Sequence, residues 1–352
     1  MADPRFQQAA ARFPLTRPVA RREAARLFDL CAGFVYAQIL SACVELDLFE
    51  TLAAGPRAIA SLAAEHRMTL EAMLCLLRGA EALRLLAIEG ESVRLGPLGA
   101  ALRGNPGAVA MIRHHPILYR DLADPVALLR GERPGDLARF WPYDAASGAQ
   151  AADYSRLMAE SQPMISAEIL AGYDFTRHRV LLDVGGGDGR FLQAVAARTP
   201  RTDLWLFDLP PVAALAESRF RAAGLAGRVR VFAGDMHRDA LPQGADLISL
   251  IRVLHDHDDA QALALLRAVR AALAPGGSLL IAEPMAGVAG AAAMGDAYFG
   301  FYLRAMGRGR PRRVAEITAM LGQAGFARPK QIATGQPLLT SMLVAPAGST
   351  LR

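Results

Sequence analysis

Lysine is almost missing from this chain: Lys330 is the only one, so arginine supplies nearly all of the 39 basic residues. With alanine so abundant, that skew reflects genomic base composition, and the basic residues are scattered among 34 acids instead of forming a stripe. No nucleic-acid partner is expected. Cysteine is scarce too. Cys31, Cys43 and Cys75 form no Cys-x-x-Cys pair, which excludes a disulfide framework and a cysteine zinc site. Long apolar runs also look absent. The longest weakly polar stretch, 278–295, contains Glu283 and Pro284 and is dominated by Ala and Gly, a poor match to the ~20 apolar residues of a membrane span. Residues 1–26 carry Asp3, Glu23, several Arg and three Pro, without the apolar segment of a secretory signal, so the expected address is the cytoplasm. What is present, 53% hydrophobic and 21% charged residues, suits a folded globular protein.

The length of 352 residues favours two domains. Between Leu27 and Leu86 apolar residues recur at helical spacing, with breaks at Gly55-Pro56 and Met68-Thr69. A hairpin follows, Leu85 to Ile88 and Ser92 to Leu95 around Gly90, so residues 1–105 resemble a winged helix. The helix that would read DNA, Thr69 to Leu83, carries Glu71, Arg78 and Glu81 and is otherwise apolar, which suits protein better than phosphate. Residues 106–175 read as a connecting region with one helical stretch, Tyr154 to Leu170. From 176 to 352 apolar strands alternate with Ala-rich helices, predicting an α/β domain with a parallel sheet covered on both faces. Expected strands are Val180–Val184, Leu204–Phe207, Val229–Phe232, Leu247–Ile251 and Leu279–Ala282, with a last one near Leu338 to Val344.

The first of these strands runs into Asp183-Val184-Gly185-Gly186-Gly187-Asp188-Gly189, and a helix begins at once. A glycine turn there lets a ligand approach the backbone beside the positive end of a helix. The dinucleotide pattern G-x-G-x-x-G fails, because Arg190 stands at its third glycine. The pattern acid-x-G-x-G-x-G fits instead. Asp208 ends the second strand, where a carboxylate can accept ribose hydroxyls; Asp235 and Met236 follow the third, offering an acceptor for an amino group and a thioether to pack on a ring. Asp208 and Asp235 also suit plain turn or helix caps. After the fourth strand comes Arg252-Val253-Leu254-His255-Asp256-His257-Asp258-Asp259. His255 and His257 invite a metal reading, but no nearby His or Cys cluster supplies a third ligand, so no metal is expected.

Asp183–Gly189, Phe207–Pro210, Gly234–Met236, Leu254–Asp256 and Ala282–Pro284 together resemble the plant and bacterial small-molecule O-methyltransferases, the class I family that includes the caffeate and acetylserotonin enzymes. The resemblance spans most of the chain. It implies a Rossmann-like methyltransferase sheet, S-adenosyl-L-methionine as cofactor and a homodimer built by the N-terminal part. It also implies that Asp183, Gly185, Gly187, Asp208, Asp235, Met236 and Arg252 hold the cofactor and that His255 is the general base, with Glu283 orienting its imidazole. A helix-entry role for His255 and a structural role for Glu283 are the plainer alternatives. The sequence departs from the plant pattern at Arg252, where a lysine is expected, at His257, where a tryptophan is expected, and at Pro311, where a second carboxylate would bracket the base.

The stretches Asp296–Tyr302 and Ala305–Arg310 resemble the branch of that family that methylates acyclic carotenoids, which implies a tertiary carbon-1 alcohol as acceptor. Tyr298, Phe301, Tyr302 and Ala305 lie at i, i+3, i+4 and i+7, a face that reads as ordinary core or as the wall for a long hydrophobic substrate. Arg304, Arg308, Arg310, Arg312 and Arg313 crowd the next turn, and such a cluster could rest on anionic headgroups, placing the protein peripherally at the inner face of a membrane. Competing readings are a polyketide or aromatic O-methyltransferase, a tetrapyrrole C-methyltransferase, and a winged-helix regulator that senses S-adenosylmethionine without catalysis.

Overall fold

The computed structural model describes residues 3–132, 134–140, 161–337 and 340–348. The chain divides into two compact units, 1–113 and 114–352. The stretch read as a connector is therefore split: the helix Pro106–Leu122 starts in the first unit and ends in the second. Tyr154 and its neighbours lie outside the described residues, but 161–172 is helical as expected.

In the first unit the dominant element is a helix of 29 residues, Arg17–Glu45, opened by a proline in its first turn where a missing N–H costs nothing. This corrects the expectation about apolar runs. By length and composition it is long and apolar enough to cross a membrane, and little of it is buried. Asp29 and Gln38 interrupt it in one dimension, which hid its apolar character. Leu27, Phe28, Leu30 and Phe34 are exposed along it, whereas Cys43 and Val44 at its end join a core with Leu48, Leu62, Met73, Leu77 and Val93. Burial pushes the Cys43 thiol up to about 12, so it packs as an inert apolar group. Thr69 caps the helix Leu70–Ala82 by accepting the Ala72 N–H at 3.1 Å. The expected hairpin is present as β2 (Leu86–Glu89) against β3 (Ser92–Leu95), and a two-residue strand, β1 (Arg57–Ala58), adds to β3 in an antiparallel sheet. At two residues β1 is too short to leave a periodic signal.

The second unit is built on β4 (Val180–Val184), β5 (Asp203–Asp208), β6 (Val229–Ala233), β7 (Ala245–Ile251), β8 (Leu273–Glu283), β9 (Lys330–Ile332) and β10 (Ser341–Pro346), in the order β6-β5-β4-β7-β8-β10-β9. Strands β4 to β8 run parallel, β10 is antiparallel to β8, and β9 is antiparallel to β10. Every residue of β4 is buried, as a central strand covered on both faces requires. Its side chains alternate between two cores. Val180, Leu182 and Val184 face the helices Asp259–Ala272 and Val314–Gln323, while Leu181 faces Phe191, Phe220 and Ile169. The strand order reverses between β4 and β7, and in open α/β sheets such a switch point opens a crevice at the carboxyl ends.

Candidate functional site

The turn after β4 depends on glycine at three places. Gly185, Gly187 and Gly189 have φ of 69°, 59° and 82°, the left-handed region that side chains disfavour. A Cβ on Gly189 would lie 2.3 Å from the Phe220 ring, so the helix that starts there packs directly on the ring. A Cβ on Gly187 would meet nothing within 4 Å, so the backbone there faces open space. On Gly185 it would come within 2.8 Å of Val253 and 3.3 Å of the Met236 methyl, which shows that the turn, the loop after β6 and the loop after β7 converge at one point.

Two carboxyls brace the turn. Asp208, at the end of β5, accepts from the Gly187 N–H at 2.8 Å and from the Leu209 N–H at 2.7 Å. Burial nevertheless raises its pKa to about 6. Asp183 is sealed beneath the turn, takes a 2.6 Å hydrogen bond from the Ser249 hydroxyl, and is pushed by burial to about 7. It is placed to shape the turn rather than to touch a ligand. Asp235 accepts from the His237 N–H at 2.9 Å and pairs with Arg238 at 3.4 Å. Arg252 adopts φ 58°, an unusual value for a non-glycine residue, at the exit from β7. Its N–H bonds the Ala282 carbonyl and its guanidinium donates to the Ser161 hydroxyl at 2.8 Å.

His255 lies in the 3₁₀ turn Leu254–Asp256 and is buried. Its Nε2 is 3.1 Å from a carboxylate oxygen of Asp256, its ring stacks on Phe299 with centroids 5.8 Å apart, and its Nδ1 is buried without a hydrogen-bond partner. Glu283, fully buried at the end of β8, accepts the backbone N–H of His255 at 3.1 Å. The expectation that Glu283 orients the imidazole is corrected accordingly: Asp256 touches the ring and Glu283 holds the backbone behind it. Burial opposes charge on the imidazole most strongly, but Asp256, with Glu283 adding to it, outweighs burial and leaves the pKa above its ordinary 6.5. His257 turns the other way. It meets His237 at 3.3 Å, ring to ring at 81°, and burial lowers it to about 4. Among the described residues no group of three metal-ligating side chains converges.

The aromatic stripe keeps its expected face except at Phe301, which is 37% exposed. On the helix Phe299–Met306 the expected Tyr302 and Ala305 are buried, and Phe299, Leu303 and Met306 are buried beside them. These three repeat the same helical spacing one residue along, so the covered face is wider than the periodicity predicted and its edge leaves Phe301 out. Tyr298 and Tyr302 do line one side, held by a pair of histidines absent from the sequence reading. The Tyr298 hydroxyl is 3.0 Å from His115 Nε2 and the Tyr302 hydroxyl 2.9 Å from His114 Nε2. Burial lowers His114 to about 4, so the ladder is neutral at physiological pH. Tyr302→Phe removes one of these bonds and is expected to lower stability by about 1 kcal/mol, read as a shift in urea midpoint.

The arginine run is likewise not a free cationic face. Arg312 is fully buried, Arg310 pairs with Asp259 and Glu316, and Arg304 donates to the Leu129 carbonyl. A run of arginines after an apolar helix carries no signal that one of them points inward.

The family profile described as an O-methyltransferase domain matches residues 119–327. The chain is similar to a demethylspheroidene O-methyltransferase of Cereibacter sphaeroides, with 46% identity over 97% of this chain and 92% of that protein. It is also 42% identical to a protein of the same name from Rhodobacter capsulatus, over 98% of this chain and 87% of that protein. Among solved structures, human N-acetylserotonin methyltransferase in complex with S-adenosylmethionine superposes with a TM-score of 0.78 at 24% identity, covering 93% of this chain and 98% of that one.

Proposed function

The chain belongs to the O-methyltransferase family and is an S-adenosylmethionine-dependent enzyme, and from that premise we propose that it methylates the tertiary carbon-1 hydroxyl of an acyclic carotenoid of the hydroxyneurosporene or demethylspheroidene type, with His255 as general base. The observation that carries this reading is the buried imidazole of His255, paired with Asp256 and faced by Phe299 at the carboxyl edge of the sheet. The substrate class rests on the near full-length similarity to two enzymes named for it.

The residues suit the cofactor. The open backbone at Gly187 and the Asp208 carboxylate beside it form a cradle for a nucleoside, Met236 close to the turn offers an apolar surface for its base, and Arg252 stands at the same edge. Bound there, S-adenosylmethionine supplies an electrophilic methyl group on a cationic sulfur. His255 would take the proton of the acceptor hydroxyl as the oxygen displaces sulfur from the methyl carbon, so no free alkoxide has to exist. Asp256 then stabilises the imidazolium at 3.1 Å. The buried surroundings keep water from competing with the acceptor. Because the base must start neutral, the rate rises as pH increases through the His255 pKa, above 6.5.

Asp208 gives cofactor affinity its own pH dependence. The ionised carboxylate accepts hydroxyl protons, so affinity for S-adenosylhomocysteine is full above about 6 and weakens as pH falls through that value. Titration calorimetry should show this in the native protein and a flat profile in Asp208→Asn. Incubation with labelled cofactor and a panel of hydroxylated acyclic carotenoids and phenols tests the substrate. Turnover on phenols alone would replace the carotenoid with an aromatic acceptor. The exposed apolar residues Leu27, Phe28, Leu30 and Phe34 suit a homodimer contact, which sedimentation equilibrium tests. A cytoplasmic protein touching the inner face of a membrane through the exposed Arg313 is the accompanying reading of location. Flotation on anionic vesicles at low salt supports it, and no binding removes it.

A further inference from the structure

We infer that Arg312 is the positioning residue that holds the loop carrying His255 in its working geometry, an inference that rests on His255 being the base. The guanidinium is wholly buried, which is costly for a charge unless every donor is used. Its Nη1 donates to the Leu254 carbonyl at 2.8 Å and its Nη2 to the His257 carbonyl at 2.6 Å, so one rigid fork grips the backbone on both sides of His255. Nε and Nη2 also reach Asp259 Oδ1 at 3.0 and 2.8 Å, which anchors the fork to the start of the helix Asp259–Ala272. The neighbouring backbone completes the clamp. Arg310 N–H donates to the His255 carbonyl at 2.9 Å, and Gly309 N–H to the Asp258 carboxylate at 3.0 Å. Gly309 has φ 73°, and a Cβ there would lie 2.2 Å from the His255 carbonyl oxygen, so the two segments are in backbone contact. From the opposite side Glu283 holds the His255 N–H. The loop is thus pinned through its backbone, leaving the imidazole to Asp256 and Phe299.

Lysine keeps the charge but presents no planar fork, and cannot grip both carbonyls and the carboxylate together. The test measures Arg312→Lys, Asp259→Asn and His255→Ala beside the native enzyme, using the acceptor that the native enzyme turns over. Turnover is expressed per competent site, counted by the calorimetric stoichiometry of S-adenosylhomocysteine. In Arg312→Lys, kcat per site is expected to fall toward the ~10²-fold that about 1 Å of misplacement costs, with KM for S-adenosylmethionine unchanged. Asp259→Asn, altering a side chain that is 59% exposed, is expected to show a smaller loss of the same kind in a folded protein. Unchanged kcat per site in Arg312→Lys, or a loss matched entirely by fewer competent sites, would overturn the assignment. If Arg312→Lys does not fold, unchanged kcat per site in Asp259→Asn overturns it equally. Full turnover in His255→Ala would instead remove the base, and with it the reason for the clamp.

Discussion

Replacing His255 with alanine is expected to lower kcat by about 10²- to 10⁴-fold, the range a positioned general base supplies, while S-adenosylhomocysteine still binds. The expectation follows from what surrounds the ring. The imidazole is buried, stacked on Phe299 and paired with Asp256 through one nitrogen, an environment that holds it in a fixed orientation. Neighbouring Asp256 gives the test a second reading. Its carboxylate holds the His255 pKa up against burial, so Asp256→Asn lets burial prevail and moves the acid limb of the rate profile to lower pH. A rate profile that stays in place would show that the pair is not coupled, and full activity in His255→Ala would end the base assignment.

Gly189→Ala is expected to destabilise the second unit by about 3 kcal/mol, combining overpacking with a left-handed backbone, and to lower Tm by about 6–12 °C. The new methyl would lie 2.3 Å from the Phe220 ring, and that ring is buried in one core with Phe191, Leu206 and Ala216. The backbone carries φ 82° as well. Gly224→Ala is the natural control, because its φ is 69° but an added Cβ there meets nothing within 4 Å. It should lose only the backbone contribution, about 1 kcal/mol. Equal losses in the two variants would mean that the close approach of helix and ring costs nothing. Because the same turn cradles the cofactor, Gly189→Ala should also weaken S-adenosylhomocysteine, whereas Gly224→Ala should not.

Much of the α/β unit is legible in one dimension. Val180–Val184 reads as a buried strand because every residue except Asp183 is apolar, and Asp183 finds its hydroxyl partner, Ser249, on the adjacent strand. The glycine turn is legible because left-handed φ values restrict the residue type so strongly. The hairpin at Gly90 is legible for the same reason. Strand β9 is not, since three residues with an edge position leave no apolar period.

The helix Arg17–Glu45 and the stripe on Phe299–Met306 show where periodicity stops. Spacing tells that a helix has an apolar face but not how far that face extends, and only packing, as of Tyr302 with His114 and Leu137, decides that Phe301 at its edge stays uncovered. His255 illustrates the division most sharply. Its residue type, after the strand and before a helix, is a property of local order along the chain, and so are the glycine turn and Asp208. The burial that opposes its charge, the Glu283 carboxylate that accepts its N–H, and the buried fork of Arg312 arise from segments distant along the chain. Local steric rules are written residue by residue and survive in the sequence. Burial and charge pairing depend on which segments meet, and that is decided only when the sheet and its helices have closed around the loop.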